Sequence, residues 1–264
     1  MQVFVFASGS SGNCLLVSSG ETYILIDAGI SMRRMTEALA AAGHTWQDIG
    51  GVLITHEHSD HISGLNMLVR HHAVPVYAPH TVAARLSGRF PDLTDNLHIL
   101  PVGSPVALGN VRVSAFHTPH DTDESVGYRI DSDDGSFAIA TDMGHITEEI
   151  IEALTGAYTV LIEANHDEGL LVSGSYPFSL KRRILSDNGH LSNAGCAELA
   201  RRLALSGTRH IILGHLSREN NSPALAEGTV AALLTGLPVK LSVAPAFGCL
   251  AAGCGKEALC SQSG

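Results

Sequence analysis

The segment Thr55-His56-Glu57-His58-Ser59-Asp60-His61 puts four groups able to ligate a metal within six residues. Imidazole nitrogen and carboxylate oxygen without thiolate suit zinc, manganese or iron. His56 and His58 lie two apart, so in an extended segment they point the same way. Asp60 and His61 follow on a turn and can face a second point in space. The helical zinc motif H-E-x-x-H would need a histidine four residues after His56, where this chain has Asp60. The pattern is instead H-x-H-x-D-H. A solvated polar loop is the bland alternative, but this loop directly follows an apolar strand, Val52–Ile54, where functional loops are commonly held.

The same position, just past a predicted strand, gathers further candidates. Asp27 ends Tyr23–Ile26 and precedes Ala28-Gly29. His117 and His120 follow Val111–Phe116. Asp142 follows Phe137–Ala140, and His215 follows His210–Leu213. Strand ends on one sheet edge converge in space, so these residues can meet despite their separation in sequence.

The elements that would carry them alternate in type. Val3–Phe6, Leu15–Val17, Tyr23–Ile26, Val52–Ile54 and Val76–Ala78 read as strands, with helices over Met32–Ala42, Ile62–Val69 and Thr81–Leu86. The second half repeats the style. Strands are predicted at Val111–Phe116, Gly127–Ile130, Phe137–Ala140, Thr159–Glu163, His210–Leu213 and Lys240–Val243. Helices are predicted at Thr147–Leu154, Leu180–Leu185, Ala194–Ala204 and Ala224–Leu234. This order implies an α/β (α+β) chain with two sheets packed face to face and helices outside. No low-complexity linker divides it. Residues 1–248 read as one domain, and 249–264 as a loose tail that carries Cys249, Cys254 and Cys260.

Composition narrows the function classes. The 264 residues are 45% hydrophobic and 16% charged, as in a folded globular protein. No apolar run is long enough to span a membrane, and the first residues lack the basic start of a secretory signal. Five cysteines without a C-x-x-C pair read as free thiols of a reducing cytoplasm. A net charge of −10 argues against a protein that coats nucleic acid non-specifically, though not against one that binds a phosphodiester at a local site. Ser10-Ser11-Gly12 lacks the Gly-Lys-Ser/Thr of a nucleotide-binding loop and reads as a tight turn under the metal site.

H-x-H-x-D-H with an upstream Asp-x-Gly, a later His, a later Asp and a final His resembles the metallo-β-lactamase-fold hydrolases. Ser8-Gly9-Ser10-Ser11-Gly12-Asn13, Glu163-Ala164-Asn165-His166-Asp167, Gly189-His190-Leu191-Ser192-Asn193 and Gly214-His215-Leu216-Ser217-Arg218-Glu219-Asn220-Asn221 resemble the YycJ (WalJ) branch of that superfamily. The resemblance implies a four-layer αβ/βα sandwich with the site at one edge between the sheets. It implies one metal on His56, His58 and His120, another on Asp60, His61 and His215, with Asp142 bridging and Asp27 orienting a histidine ligand. His120 is preferred to His117 because His120-Asp121 followed by Gly127-Tyr128 resembles the family pattern. The cofactors implied are two divalent ions, with zinc first and manganese or iron as alternatives.

Two such ions could hold a bridging hydroxide as nucleophile, which Asp60 would orient, and neutralise charge on a phosphate. The branch implies a phosphodiester hydrolase acting on nucleic acid, a 5′-to-3′ DNA exonuclease with a mismatch-repair role. His190 is the expected general acid, with His166 beside it as a second candidate or a supporting histidine. Lys181, Arg182 and Arg183 form a basic run, and Lys181, Ser192, Asn193, Arg218 and Asn220 are the expected contacts to phosphate or sugar. The alternative is a small-molecule metallo-hydrolase (a lactonase, thioesterase or cyclic phosphodiesterase), for which a narrow apolar pocket would be the sign. A non-catalytic protein that keeps the fold would have no need of so complete a ligand set.

Overall fold

The computed structural model describes residues 1–255. Two seven-stranded sheets face each other. The first contains β1 (Gln2–Ala7), β2 (Cys14–Ser19), β3 (Thr22–Ile26), β4 (Ile49–Leu53), β5 (Val76–Ala78) and β6 (Leu97–Ile99). The second contains β7 (Val106–Leu108), β8 (Val111–His117), β9 (Val126–Ser132), β10 (Gly135–Ala140), β11 (Thr159–Glu163), β12 (His210–Gly214) and β13 (Lys240–Val243). The last strand, β14 (Leu250–Gly253), returns to the first sheet. The orders are β14-β1-β2-β3-β4-β5-β6 and β13-β12-β11-β10-β9-β8-β7. Each sheet begins with antiparallel hairpins and continues with parallel strands joined through helices.

Side-chain alternation along the strands builds three apolar layers. Val3, Val5, Ile24 and Ile26 point between the sheets and meet Val113, Tyr128, Phe137, Ile139, Leu161 and Ile212 of the second sheet. Phe6, Leu16, Leu25 and Val52 point outward, onto helices α1 (Met32–Ala41), α2 (Ser59–Ile62), α3 (Leu65–His71) and α4 (His80–Arg89). On the far side, Ala138, Val160, Ile162, Ile211 and Leu213 pack under α5 (Glu148–Leu154), α8 (Asn193–Leu205) and α9 (Pro223–Leu234). Two short helices, α6 (Glu168–Ser173) and α7 (Phe178–Ile184), lie between β11 and α8. Both faces of each sheet are covered, so the central strands are almost continuously apolar.

Most expected elements are present within one to three residues of their expected ends. The expected helix over Ile62–Val69 is two helices, α2 and α3. The break falls at Gly64, whose amide donates to the Ala28 carbonyl instead of to the helix; a Cβ there would collide with the Ile30 carbonyl, so the chain needs glycine where it passes the Asp27 loop. Strands β6 and β7, of three residues each, and helix α6 were not expected. Residues 250–253, inside the segment expected to be a loose tail, form β14 and pair with β1. The remainder of that tail, 256–264 with Cys260, lies outside the described residues.

Candidate metal centre

The parallel strands deliver the polar residues to one edge, where the sheets meet. Asp27 leaves β3, His56 and His58 leave β4, and His120 follows β8. Asp142 leaves β10, Glu163 ends β11 and His215 leaves β12. Three of these, Asp27 (φ 60°), Asp142 (φ 55°) and His215 (φ 55°), hold left-handed backbone, and among the described residues no other non-glycine residue has positive φ. Such a residue costs about 1 kcal/mol or more and persists where the surroundings over-determine it, commonly at functional sites. In each case the turn aims the side chain back into the gap between the sheets.

The side chains assemble as overlapping groups, two of them joined by one carboxylate; Asp142, Glu163, His190 and His215 also bring ligand atoms together. One ring nitrogen each from His56, His58 and His120 lie within 4.8 Å of one another, and so do ligand atoms of Asp60, His61 and His215. Asp142 stands between them. Its Oδ2 is 3.3 Å from His61 Nε2, and its Oδ1 is 3.5 Å from His215 Nε2 and 3.7 Å from His120 Nε2. His117, the alternative to His120, lies outside. It is 55% exposed, with Nδ1 3.3 Å from Glu149.

Buried partners set the orientation of the rings. Asp27 accepts a hydrogen bond from His61 Nδ1 at 2.8 Å and from the Thr55 amide at 2.9 Å. Thr55 Oγ1 lies 3.1 Å from His56 Nδ1. The carbonyl of Gly189 is 3.2 Å from His120 Nδ1. Glu163 serves two histidines: Oε1 is 2.7 Å from His190 Nδ1 and 3.0 Å from His215 Nδ1. Its Oε2 accepts from the amides of Met143 at 3.0 Å and Leu191 at 3.3 Å. A partner at Nδ1 leaves Nε2 free to face a cation.

The early Ser-Gly-Ser-Ser-Gly-Asn segment is a clamp on the turn that carries Asp60 and His61. The Asn13 amide donates to the Asp60 carbonyl at 2.8 Å, and Gly29 N donates to the Asn13 carbonyl at 2.8 Å. A Cβ on Gly29 would collide with the Asp60 carbonyl, which explains the glycine in Asp27-Ala28-Gly29. Ser8 Oγ accepts from the His215 amide at 2.8 Å. Behind the centre, the Tyr128 hydroxyl donates to the Ile54 carbonyl at 2.6 Å and ties the two sheets together.

The electrostatics match a cation site. Burial, with help from neighbouring His61, holds the His56 imidazole well below its ordinary pKa. His56 is therefore neutral, the form that ligates. Burial alone would raise the Asp142 and Glu163 carboxyls, but the facing imidazoles outweigh it. They hold Asp142 well below the ordinary range and Glu163 at about 2. Burial would lower His190, but Glu163 beside its Nδ1 raises it instead. Within the centre, two buried ligand-type atoms, His56 Nε2 and Asp142 Oδ2, have no hydrogen-bond partner. A fully buried polar atom left unpaired is costly unless something unseen satisfies it. With a nitrogen and oxygen donor set, this fits a pair of divalent cations.

Several expected substrate contacts are engaged elsewhere. Lys181 Nζ donates to the carbonyls of Val172 and Gly174, each at 2.7 Å, and so fastens α7 to the end of α6. Ser192 is the N-cap of α8 and its Oγ accepts from Gly195 N at 3.2 Å. Asn193 is buried and exchanges amide hydrogen bonds with Asn221 at 3.0 and 2.8 Å. Asn220 is 2% exposed. Capping engages Ser192 and amide pairing engages Asn193, whereas the buried Asn220 Nδ2 has no hydrogen-bond partner. Arg218 is exposed, with its guanidinium 5.1 Å from the Phe247 ring centroid. His166 is buried, with neither ring nitrogen partnered.

Sequence reading gave no role to Glu163, Thr55 or Asn13. Glu163 was the most accessible of these. A carboxylate that closes the apolar run Thr159–Ile162 occupies the same strand-exit position as Asp27 and Asp142. Beside the centre lies a cavity of about 200 Å³, lined by Ser10, Asn165, Tyr176, Arg183, His190 and Ser217 among others. Arg183 also pairs with Asp121, whose Oδ1 is 3.3 Å from His120 Nε2.

Comparison with known proteins agrees with this geometry. Residues 22–216 match a family described as a beta-lactamase superfamily domain. The chain is 40% identical over 229 residues to exodeoxyribonuclease WalJ of Streptococcus pneumoniae serotype 2, covering 86% of this chain and 85% of that protein. It is 38% identical over 233 residues to exodeoxyribonuclease YycJ of Bacillus anthracis, covering 87% and 88%. Among solved structures, Zn(2+)-bound PqqB from Methylobacterium extorquens superposes with a TM-score of 0.72 at 17% identity, covering 95% of this chain and 99% of that one. At that identity the likeness concerns the fold alone.

Proposed function

The chain belongs to the β-lactamase superfamily and, within it, to the family of the WalJ and YycJ exodeoxyribonucleases; on that premise we propose that it is a dinuclear metal-dependent DNA exonuclease. The observation that carries the reading is the pairing of two ligand groups through Asp142, beside a cavity lined by His190 and Arg183. His56, His58 and His120 would hold one ion, Asp60, His61 and His215 the other, and Asp142 both. Two divalent ions, when bound, supply a nucleophile from water at neutral pH and offset charge on a transferring phosphoryl group. Zinc is the proposed metal, with manganese and iron compatible with the same donors.

The chain's own residues supply the rest. Glu163 raises the pKa of the His190 imidazole and fixes its Nδ1, which leaves Nε2 at the cavity to give a proton to the leaving oxygen. Arg183 and Ser10, on the same cavity, are placed to bind phosphate oxygens. Asp60, 21% exposed at its side chain, is the accessible carboxylate of the centre and would orient the attacking water. Ser10, Asp121, Asn165, Arg183, His190 and Ser217 put polar groups into this cavity beside the apolar Leu180 and Ile184. Digestion in the 5′-to-3′ sense, work in mismatch repair and a cytoplasmic location complete the proposal. The location is supported by the free thiols of Cys14, Cys196, Cys249 and Cys254, and no helix among the described residues is long and apolar enough to cross a membrane.

The test is direct. Metal-loaded protein is incubated with end-labelled single-stranded and duplex DNA and with RNA of the same sequence. Stepwise shortening of DNA is expected. Intact DNA alongside turnover of a small ester or lactone would overturn the reading.

A further inference from the structure

Resting on the nuclease reading, we propose that the outer face of α7 is a stacking platform for an unpaired base of the substrate strand, with Phe178 as the platform and Arg182 as its phosphate contact. The helix has two functional faces. Leu180, Arg183 and Ile184, spaced i, i+3, i+4, line the cavity beside His190. Phe178, Lys181, Arg182 and Leu185, spaced i, i+3, i+4, i+7, line a separate groove of about 460 Å³ with Val172 and Ser186. A helix with its side chains is about 10–12 Å across. The groove therefore lies about one helix diameter from the cavity, a separation that a few nucleotides of strand can span.

Phe178 is 79% exposed, the most exposed large apolar side chain among the described residues. Val172 and Leu185 continue the apolar surface. Burying Phe178 in the core would stabilise the fold, so its position outside calls for a partner. Two features select a nucleic-acid strand. The groove is edged by cations in a chain of net charge −10, and Lys181, Arg182 and Arg183 are three of only 16 Lys and Arg residues. The groove and the cavity beside the metal centre lie on two faces of the same helix. Lys181 is occupied in holding α6 against α7, which fixes the groove's walls. Arg182 is exposed and has no carboxylate partner among the described residues. An exposed aromatic ring with an adjacent arginine is the arrangement by which single strands are bound without sequence preference.

The experiment compares metal-loaded wild type with Phe178→Ala, Phe178→Leu, Phe178→Trp and Arg182→Gln. The substrates are a single-stranded DNA of about ten nucleotides and a dinucleotide. The expected result is that F178A and F178L raise KM for the longer strand by about 5- to 150-fold, the range for loss of one stacked base. The ratio of kcat/KM between long and short substrates should fall by the same factor, and F178W should retain it. R182Q should reduce the salt dependence of KM by about one counterion. Wild-type KM in F178A, or in F178L with the ring lost and the apolar surface kept, would overturn the platform while leaving the nuclease reading intact. A change of oligomeric state in F178A, seen by sedimentation, would overturn it in favour of a second copy of the chain. No hydrolysis of either DNA by the wild type would overturn the nuclease reading, and the platform with it.

Discussion

Replacing Glu163 by Gln should loosen one metal and leave the other. The carboxylate is fully buried and has four donors around it: two imidazole Nδ1 atoms at 2.7 and 3.0 Å and two backbone amides at 3.0 and 3.3 Å. Glutamine has one acceptor oxygen and one donor group. If its oxygen faces the imidazoles, its NH2 faces the Met143 and Leu191 amides, donor against donor. If it flips, His190 and His215 lose their acceptor. Each buried donor left unpaired costs about 1–3 kcal/mol, so with two unpaired the fold should lose about 2–6 kcal/mol. Loss of the partner that orients a metal-binding histidine typically weakens metal affinity by about 10–100-fold. The effect should fall on the ion held by Asp60, His61 and His215. The group of His56, His58 and His120 makes no contact with Glu163 and should keep its ion. Competition with graded chelator, followed by elemental analysis, resolves the two affinities, and a thermal melt reads the stability. Two ions bound with wild-type affinity in E163Q would refute the reasoning, because Glu163 would then not be aligning His215.

Other perturbations follow from the same contacts. Asp142→Ala should lower occupancy of both ions, since its carboxylate stands between the two groups; elemental analysis showing two full equivalents would end its bridging role. His120→Ala should lose metal and hydrolysis while His117→Ala keeps both, because His117 is turned away towards Glu149. His190→Ala should reduce turnover by about 10²–10⁴-fold with metal content retained, read by single-turnover kinetics beside elemental analysis. A pH effect on stability is expected far from the centre, at His210. Burial, and then Lys240, lower its pKa from 6.5 to about 4 in the fold. The unfolded chain takes up that proton first as pH falls. The contribution is therefore complete above pH 6.5 and is lost between 6.5 and 4, amounting to about 1–2 kcal/mol once solvent screening is allowed for. Denaturant melts should show a shallower acid slope in His210→Asn over that window.

The parts of the site that sequence reveals are those with local spacing. His56, His58, Asp60 and His61 sit on one turn, so their proximity is written in consecutive residues. Asp27, Asp142 and His215 were legible for another reason: parallel strands end on a common edge, so a polar residue just after an apolar run is brought to the same place. Glu163 obeys the same rule, yet it ends its strand instead of following it and so reads as part of the strand. Ser192 and Asn193 show the reverse error. Their polarity serves the N-terminus of α8 and an amide pair with Asn221, and only the three-dimensional partners distinguish that use from substrate binding. For the fold, long strands with two apolar faces were plain. Three-residue strands such as β6 and β7 carry too little pattern to be seen. Strand β14, Leu250–Gly253, is mostly small residues, and only its pairing with β1 identifies it.

The central claim is that two linked ligand groups form one hydrolytic centre acting on DNA. Its most direct measurement is a titration of metal into chelator-stripped protein, with bound equivalents and hydrolysis of end-labelled single-stranded DNA recorded on the same samples for wild type and Asp60→Asn. The expected result is two equivalents in the wild type, with DNA hydrolysis rising as the second ion binds and abolished in D60N. A wild type that saturates at one equivalent, or that fills both positions and leaves DNA intact, would contradict it.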